Sequence, residues 1–64
     1  MKTLYDSEAD ALYVRFSDTE IAESEEVSDG VMLDFDAEGR IVAIEVLDAS
    51  KHLTAGAKLP TAAE

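Results

Sequence analysis

The sequence predicts an α+β fold that is mostly β: a single antiparallel sheet of four to five strands, a meander of hairpins, with a short C-terminal helix. Three observations carry this. Gly30 to Leu47, GVMLDFDAEGRIVAIEVL, reads as two strands about a tight turn. Other apolar residues recur at period two between clusters of turn formers, the strand signal. Only after Leu47 does the pattern suit a helix, and Gly56 and Pro60 keep it short.

Lys2 to Tyr5 reads as a first strand, followed by the turn-rich Asp6-Ser7-Glu8-Ala9-Asp10. Ala11 to Phe16 is a second, with Leu12, Val14 and Phe16 on one face. Ile21 to Val27 is the weakest strand; Ile21 and Val27 are expected on one face with Glu23 and Glu25. Its acidity suits an edge, because like charges discourage pairing with another chain. Ser28-Asp29-Gly30 turns into the central hairpin.

In that hairpin Val31, Leu33 and Phe35 alternate with polar or flexible neighbours, whereas Ile41 to Leu47 is apolar on both faces except at Glu45. Such a strand suits cover on both sides. Ala37 and Glu38 fit the right-handed positions of a type I turn, and Gly39 the left-handed position that closes it. A loop of Ala37 to Gly39 pairs Asp36 with Arg40. A loop of Asp36 to Gly39 instead places Val31, Leu33 and Phe35 with Val42, Ile44 and Val46, and the apolar match favours it. Asp48 is the expected N-cap of a helix from Ala49 to Leu53. Residues 1–53 are thus expected to form one small β-rich domain, with 54–64 expected as a flexible C-terminal tail.

A core built from 64 residues is marginal, and with no cysteine there is neither disulfide nor thiolate metal site to reinforce it. Self-association is the remaining common remedy. With Ile41, Ala43 and Leu47 expected on one face and Val42, Ile44 and Val46 on the other, one short helix covers at most one. The exposed face predicts a homodimer, with Ile41 and Leu47 as partner-binding residues.

Fifteen acidic against five basic residues give a net charge of −10, a field that repels nucleic acid and anionic membranes. It attracts a basic protein. Glu23 and Glu25, with Glu20 and Glu26 close by, are the candidate docking residues; edge protection explains them equally well. No apolar run approaches a bilayer span and no signal peptide opens the chain, so a cytoplasmic protein is expected.

No catalytic constellation emerges. His52 is the only histidine, and Ser7, Ser17, Ser24, Ser28 and Ser50 lie outside any nucleophile elbow. The chain is therefore expected to be no enzyme and to take no cofactor. Asp34, Asp36, Glu38, Gly39 and Glu45 fall at positions one, three, five, six and twelve of a calcium-loop pattern, with Ile41 at eight. That loop joins two helices, whereas here both flanks alternate as strands, so the plain hairpin turn is preferred. Asp6, Glu8 and Asp10 could likewise hold a divalent cation weakly, though turn formation explains them. A divalent-cation-binding domain is the alternative to an interaction module.

Tyr5-Asp6, Glu8 to Tyr13, Glu25, Gly30, Leu33-Asp34, Asp36, Gly39, Ile41, Ile44 to Leu47 and Asp48-Ala49-Ser50 together resemble a family of small bacterial and archaeal proteins, domain of unknown function 2283. The resemblance runs from about Leu4 to Leu53. It implies a small β-rich fold with no assigned activity or catalytic residues. Some members are encoded beside small toxin-like proteins, which implies an antitoxin-like or partner-binding role.

Overall fold

The computed structural model describes residues 1–59. It contains β1 (Lys2–Asp6), β2 (Ala11–Arg15), β3 (Glu23–Ser28), β4 (Val31–Phe35), β5 (Ile41–Leu47) and α1 (Ala49–His52). The five strands form one antiparallel sheet in the order β1-β2-β5-β4-β3. The expected sheet and short helix are both present. The order departs from a simple meander at one place: the last strand inserts between β2 and β4. The cause is composition. β5 is the most apolar strand, and only a central position gives it a partner on each edge. β2 to β5 therefore make a Greek key, extended by β1.

The insertion forces residues 16–22 to travel from β2 to β3 across the end of the sheet. Arg15 holds that connection, with Nε donating to the Ser17 carbonyl and Nη2 to the Thr19 carbonyl, both at 2.8 Å. The connection then joins the sheet as Ala22 N–H donates to Phe35 O at 2.8 Å.

The two expected hairpin registers are both used. Val31 and Leu33 stand opposite Val46 and Ile44, as the apolar match requires. At the turn, Asp36 N–H donates to Arg40 O at 2.9 Å, the pairing of the shorter loop. A bulge between Asp34 and Phe35 reconciles them by leaving Val42 as the extra residue of β5. The bulge also moves Ile41. It pairs with Phe35 and shares that residue's face, instead of lying with Ala43 and Leu47 as alternation alone predicts. β3 has its own bulge, at Val27, so Val27 drops out of step with Glu23 and Glu25.

Opposed residues share a face. One face carries the rows Tyr5–Leu12–Val46–Val31–Ser28 and Thr3–Val14–Ile44–Leu33–Glu25, ending in Ile41–Phe35–Glu23. We call it the apolar face. The opposite face carries Leu4–Tyr13–Glu45–Met32–Glu26 and Lys2–Arg15–Ala43–Asp34–Ser24. Every substantial contact between elements joins neighbouring strands, so no described strand or helix forms a second layer. Among the described residues, only Val42, Ala43 and Ala49 are buried apolar groups.

α1 lies where β5 leaves the sheet. Asp48 occupies the N-cap position as expected, but it is left-handed, with φ 51°, and its side chain makes no capping bond. The task passes to Asp10, itself left-handed at the end of the β1–β2 turn. Its carbonyl accepts from Ala49 N–H at 2.8 Å, and its carboxylate accepts from Ser50 N–H at 3.1 Å and Ser50 Oγ at 2.7 Å. A helix N-terminus needs acceptors for its unpaired amides, and a neighbouring loop supplies them as well as a local cap does. Beyond Leu53 the described chain has one turn, closed by Ala57 N–H donating to Thr54 O at 3.1 Å. The rest of the expected tail, residues 60–64, lies outside the described residues.

Gly30 and Gly39 both have positive φ, for different reasons. A Cβ on Gly39 meets nothing within 4 Å, so that turn asks only for the left-handed backbone. A Cβ on Gly30 falls 2.9 Å from His52 Cε1 and 3.3 Å from Leu47 O. Gly39→Val is expected to destabilise by roughly 1–3 kcal/mol, since a β-branched residue is strained there. Gly39→Ala costs about 1–2 kcal/mol, and Gly30→Ala costs more, because steric conflict with His52 adds to the backbone term. Urea unfolding midpoints test the order.

Candidate functional site

The chemistry-bearing residues gather at two places: the clamp that holds α1, and the apolar face with its acidic edge.

In the clamp, Tyr5 Oη donates to Asp10 Oδ1 at 2.7 Å, and Ser50 binds the other carboxylate oxygen. The Tyr5 and Ser50 bonds hold the Asp10 carboxyl below its ordinary range, and sharing its proton with Asp10 raises Tyr5. On the far side of β5, His52 Nε2 lies 2.8 Å from Asp29 O and Nδ1 lies 3.2 Å from Asp48 O. Both neighbours are acceptors, so only the doubly protonated ring satisfies both, and its pKa is raised, chiefly by the Asp48 carbonyl. Ser50 thus faces a stabilised carboxylate, a poor base, and each His52 nitrogen is directed at a carbonyl. This geometry activates no nucleophile.

The calcium-pattern residues do not converge. Asp34 accepts from Ser24 Oγ across β3. Asp36 Oδ1 accepts the amides of Glu38 at 2.8 Å and Arg40 at 2.9 Å, which lowers its pKa and fastens the turn. Glu38 sits at the tip of the loop, and Glu45 lies opposite Met32. The length of β5 between them, about 13 Å at ~3.3 Å per residue, prevents a common ion. In the β1–β2 turn Asp6 Oδ1 accepts from Glu8 N–H at 3.0 Å. Among the described residues no group of three or more His, Cys, Asp or Glu is arranged to hold a metal ion.

The candidate partner-binding residues fare differently. Glu23, Phe35 and Ile41 form one cross-strand row on the apolar face, and Glu25 stands beside Leu33 in the next. Ile41 is 47% exposed. Leu47, 43% exposed, lies on the opposite face at the other end of β5. Three of the four candidates are therefore brought together and one is not. β3 is an edge strand, exposed throughout. Sequence reasoning missed the Asp10–Ser50 clamp; its one signal was that Asp10 and Ser50 both lie in the runs that carried the family resemblance.

Those runs decide the family. A model described as protein of unknown function (DUF2283) matches residues 2–50. The chain belongs to this family. Tyr5, Asp10 and Ser50, three of the clamp's side chains, lie within the DUF2283 match, and His52 lies just beyond it. No curated protein and no solved structure matches the chain. No described helix is long and apolar enough to cross a membrane.

Calorimetric titration with calcium is expected to show no micromolar binding; such binding, if abolished by Asp34→Ala, overturns the turn assignment. The two clamp ionisations act in opposite directions. The charged His52 ring contributes fully below its ordinary value of 6.5, and the contribution fades as pH rises through its raised value. The Asp10 carboxylate contributes above its ordinary 3.8 and fades as pH falls through its lowered value. Scanning calorimetry should show Tm falling in the wild type as pH rises above 6.5, through the raised His52 value, and flattening over that range in His52→Ala. Asp10→Ala should lower Tm at neutral pH and approach the wild type in acid.

Proposed function

We propose that this DUF2283 protein is a non-enzymatic interaction module that associates with itself and docks a basic protein on its apolar face. The observation that carries the reading is the row Glu23–Phe35–Ile41. Carboxylates stand at the border of an apolar face over which no described strand or helix packs. A sheet with one apolar face is stable when a second layer covers it. A second copy suits that face poorly, because stacking would press two charges of −10 together and desolvate both glutamate pairs. A partner with an apolar patch rimmed by Lys or Arg satisfies both parts of the surface. The charges then steer encounter and set specificity, while Phe35, Ile41 and their neighbours supply burial. An antitoxin-like role, capping a small basic protein, is the biological form this chemistry fits.

Affinity capture with the full chain, followed by purification of the captured protein, tests it. The partner should carry net positive charge. Glu23→Lys with Glu25→Lys should slow association about tenfold at low salt, leaving circular dichroism unchanged. Ile41→Glu should weaken binding mainly through faster dissociation. An acidic partner, or binding insensitive to these changes and to ionic strength, would sink the proposal and leave β3 as a guarded edge.

A further inference from the structure

We infer that the self-association proposed above runs through the β1 edge, where a second copy adds its own β1 antiparallel to form one continuous ten-stranded sheet. The sheet has two edges, β1 and β3. β3 is defended by Glu23, Glu25 and Glu26 and by its bulge at Val27. Of charged residues β1 carries only Lys2 and Asp6, of opposite sign, and it has no bulge. It pairs with β2 without interruption over all five residues and contains no proline.

The pairing pattern gives the second copy's register. Phe16 N–H donates to Val42 O, so Phe16, Val14 and Leu12 direct their backbone groups at β5. Ala11, Tyr13 and Arg15 therefore face β1 and bond with Asp6, Leu4 and Lys2. This leaves the N–H and C=O groups of Thr3 and Tyr5 pointing outward. A two-fold axis at Leu4 sets Thr3 against Tyr5 of the second copy, twice, giving four backbone hydrogen bonds. The close, non-hydrogen-bonded positions are then Leu4 against Leu4 and Lys2 against Asp6, twice.

Each of those pairings meets a need visible in the single chain. Leu4 is 42% exposed on the opposite face. Lys2 stands directly opposite Arg15, a like-charge pair that costs stability, and Asp6 of a second copy supplies the missing counter-charge. Shifting the axis to Thr3 or Tyr5 sets Lys2 or Asp6 against Leu4 and loses both matches. Because the axis is normal to the sheet, the two apolar faces stay on one side, open to partners.

The chain has no cysteine, so Leu4→Cys introduces a single thiol at the axis. Under mild oxidation it should give a covalent dimer far faster than Val27→Cys, a control at the β3 edge that is 49% exposed. In sedimentation equilibrium Lys2→Glu should raise the dimer dissociation constant about tenfold. Asp6→Asn, which preserves the acceptor for the turn amides, should raise it less. Added salt should tighten the dimer by screening the mutual repulsion of −10 charges, whereas it weakens a basic partner. Cross-linking of Leu4→Cys no faster than of Val27→Cys, or a dissociation constant unmoved by Lys2→Glu, overturns the edge assignment and leaves self-association standing. A wild-type monomer at high micromolar concentration overturns both. Binding of a basic protein to the apolar face is read separately, since Lys2→Glu leaves that face intact.

Discussion

The architecture follows from the need of β5 for a partner on each edge. Ile41 to Leu47 is too apolar to end a sheet, and it comes last among the described strands. Placing it in the middle dictates the crossing connection of residues 16–22 and the Arg15 bonds that hold it. It also dictates the bulge at Val42. The body of the hairpin must align Leu33 with Ile44, while the turn must align Asp36 with Arg40, and these differ by one residue. One unpaired residue absorbs the difference. Its by-product is the position of Ile41 beside Phe35, on the face where Glu23 and Glu25 also stand.

The acidic residues divide by what their carboxylates meet. Asp6, Asp10, Asp34 and Asp36 are spent within the molecule: each short carboxylate accepts from nearby amides or hydroxyls and fixes a turn, a strand pair or a helix end. Glu23 and Glu25, with one more methylene, stand on the exposed edge strand. The large net charge is therefore not one property. Part of it is structural hydrogen bonding that happens to be anionic, and part is a surface field available to a partner.

What was legible in the sequence has local causes. Gly39 closing its turn and β3 as an edge follow from residue type and spacing within a few positions, whereas the cover expected on both faces of β5 is absent: β5 is central, but no described strand or helix packs over it. The Val42 bulge was not legible, because both registers satisfy local rules and only tertiary pairing chooses between them. The Ile41 face was misread for the same reason. Asp48 holds the N-cap position that proximity predicts, yet the capping carboxylate is that of Asp10, forty residues away from Ser50 in the chain. Nothing in the spacing of those two carboxylates distinguishes them. The row Glu23–Phe35–Ile41 was half legible: the glutamates were evident, their alignment with Phe35 and Ile41 was not.

The central place of β5 also bears on how the chain is made. During synthesis β1 and β2 leave the ribosome first and can form their hairpin, but the β2 edge that β5 will occupy stays bare until residue 47 has emerged. β3 and β4 wait in the same way on the other side. The contact that unites the two halves is the last strand made, and the helix clamp, which needs both Asp10 and Ser50, closes after it. Long-range closure of this kind is slow relative to local hairpins and leaves unpaired edges exposed meanwhile. A nascent chain that dwells in that state carries a mutually repelling charge, which keeps unfinished copies apart until the keystone strand arrives.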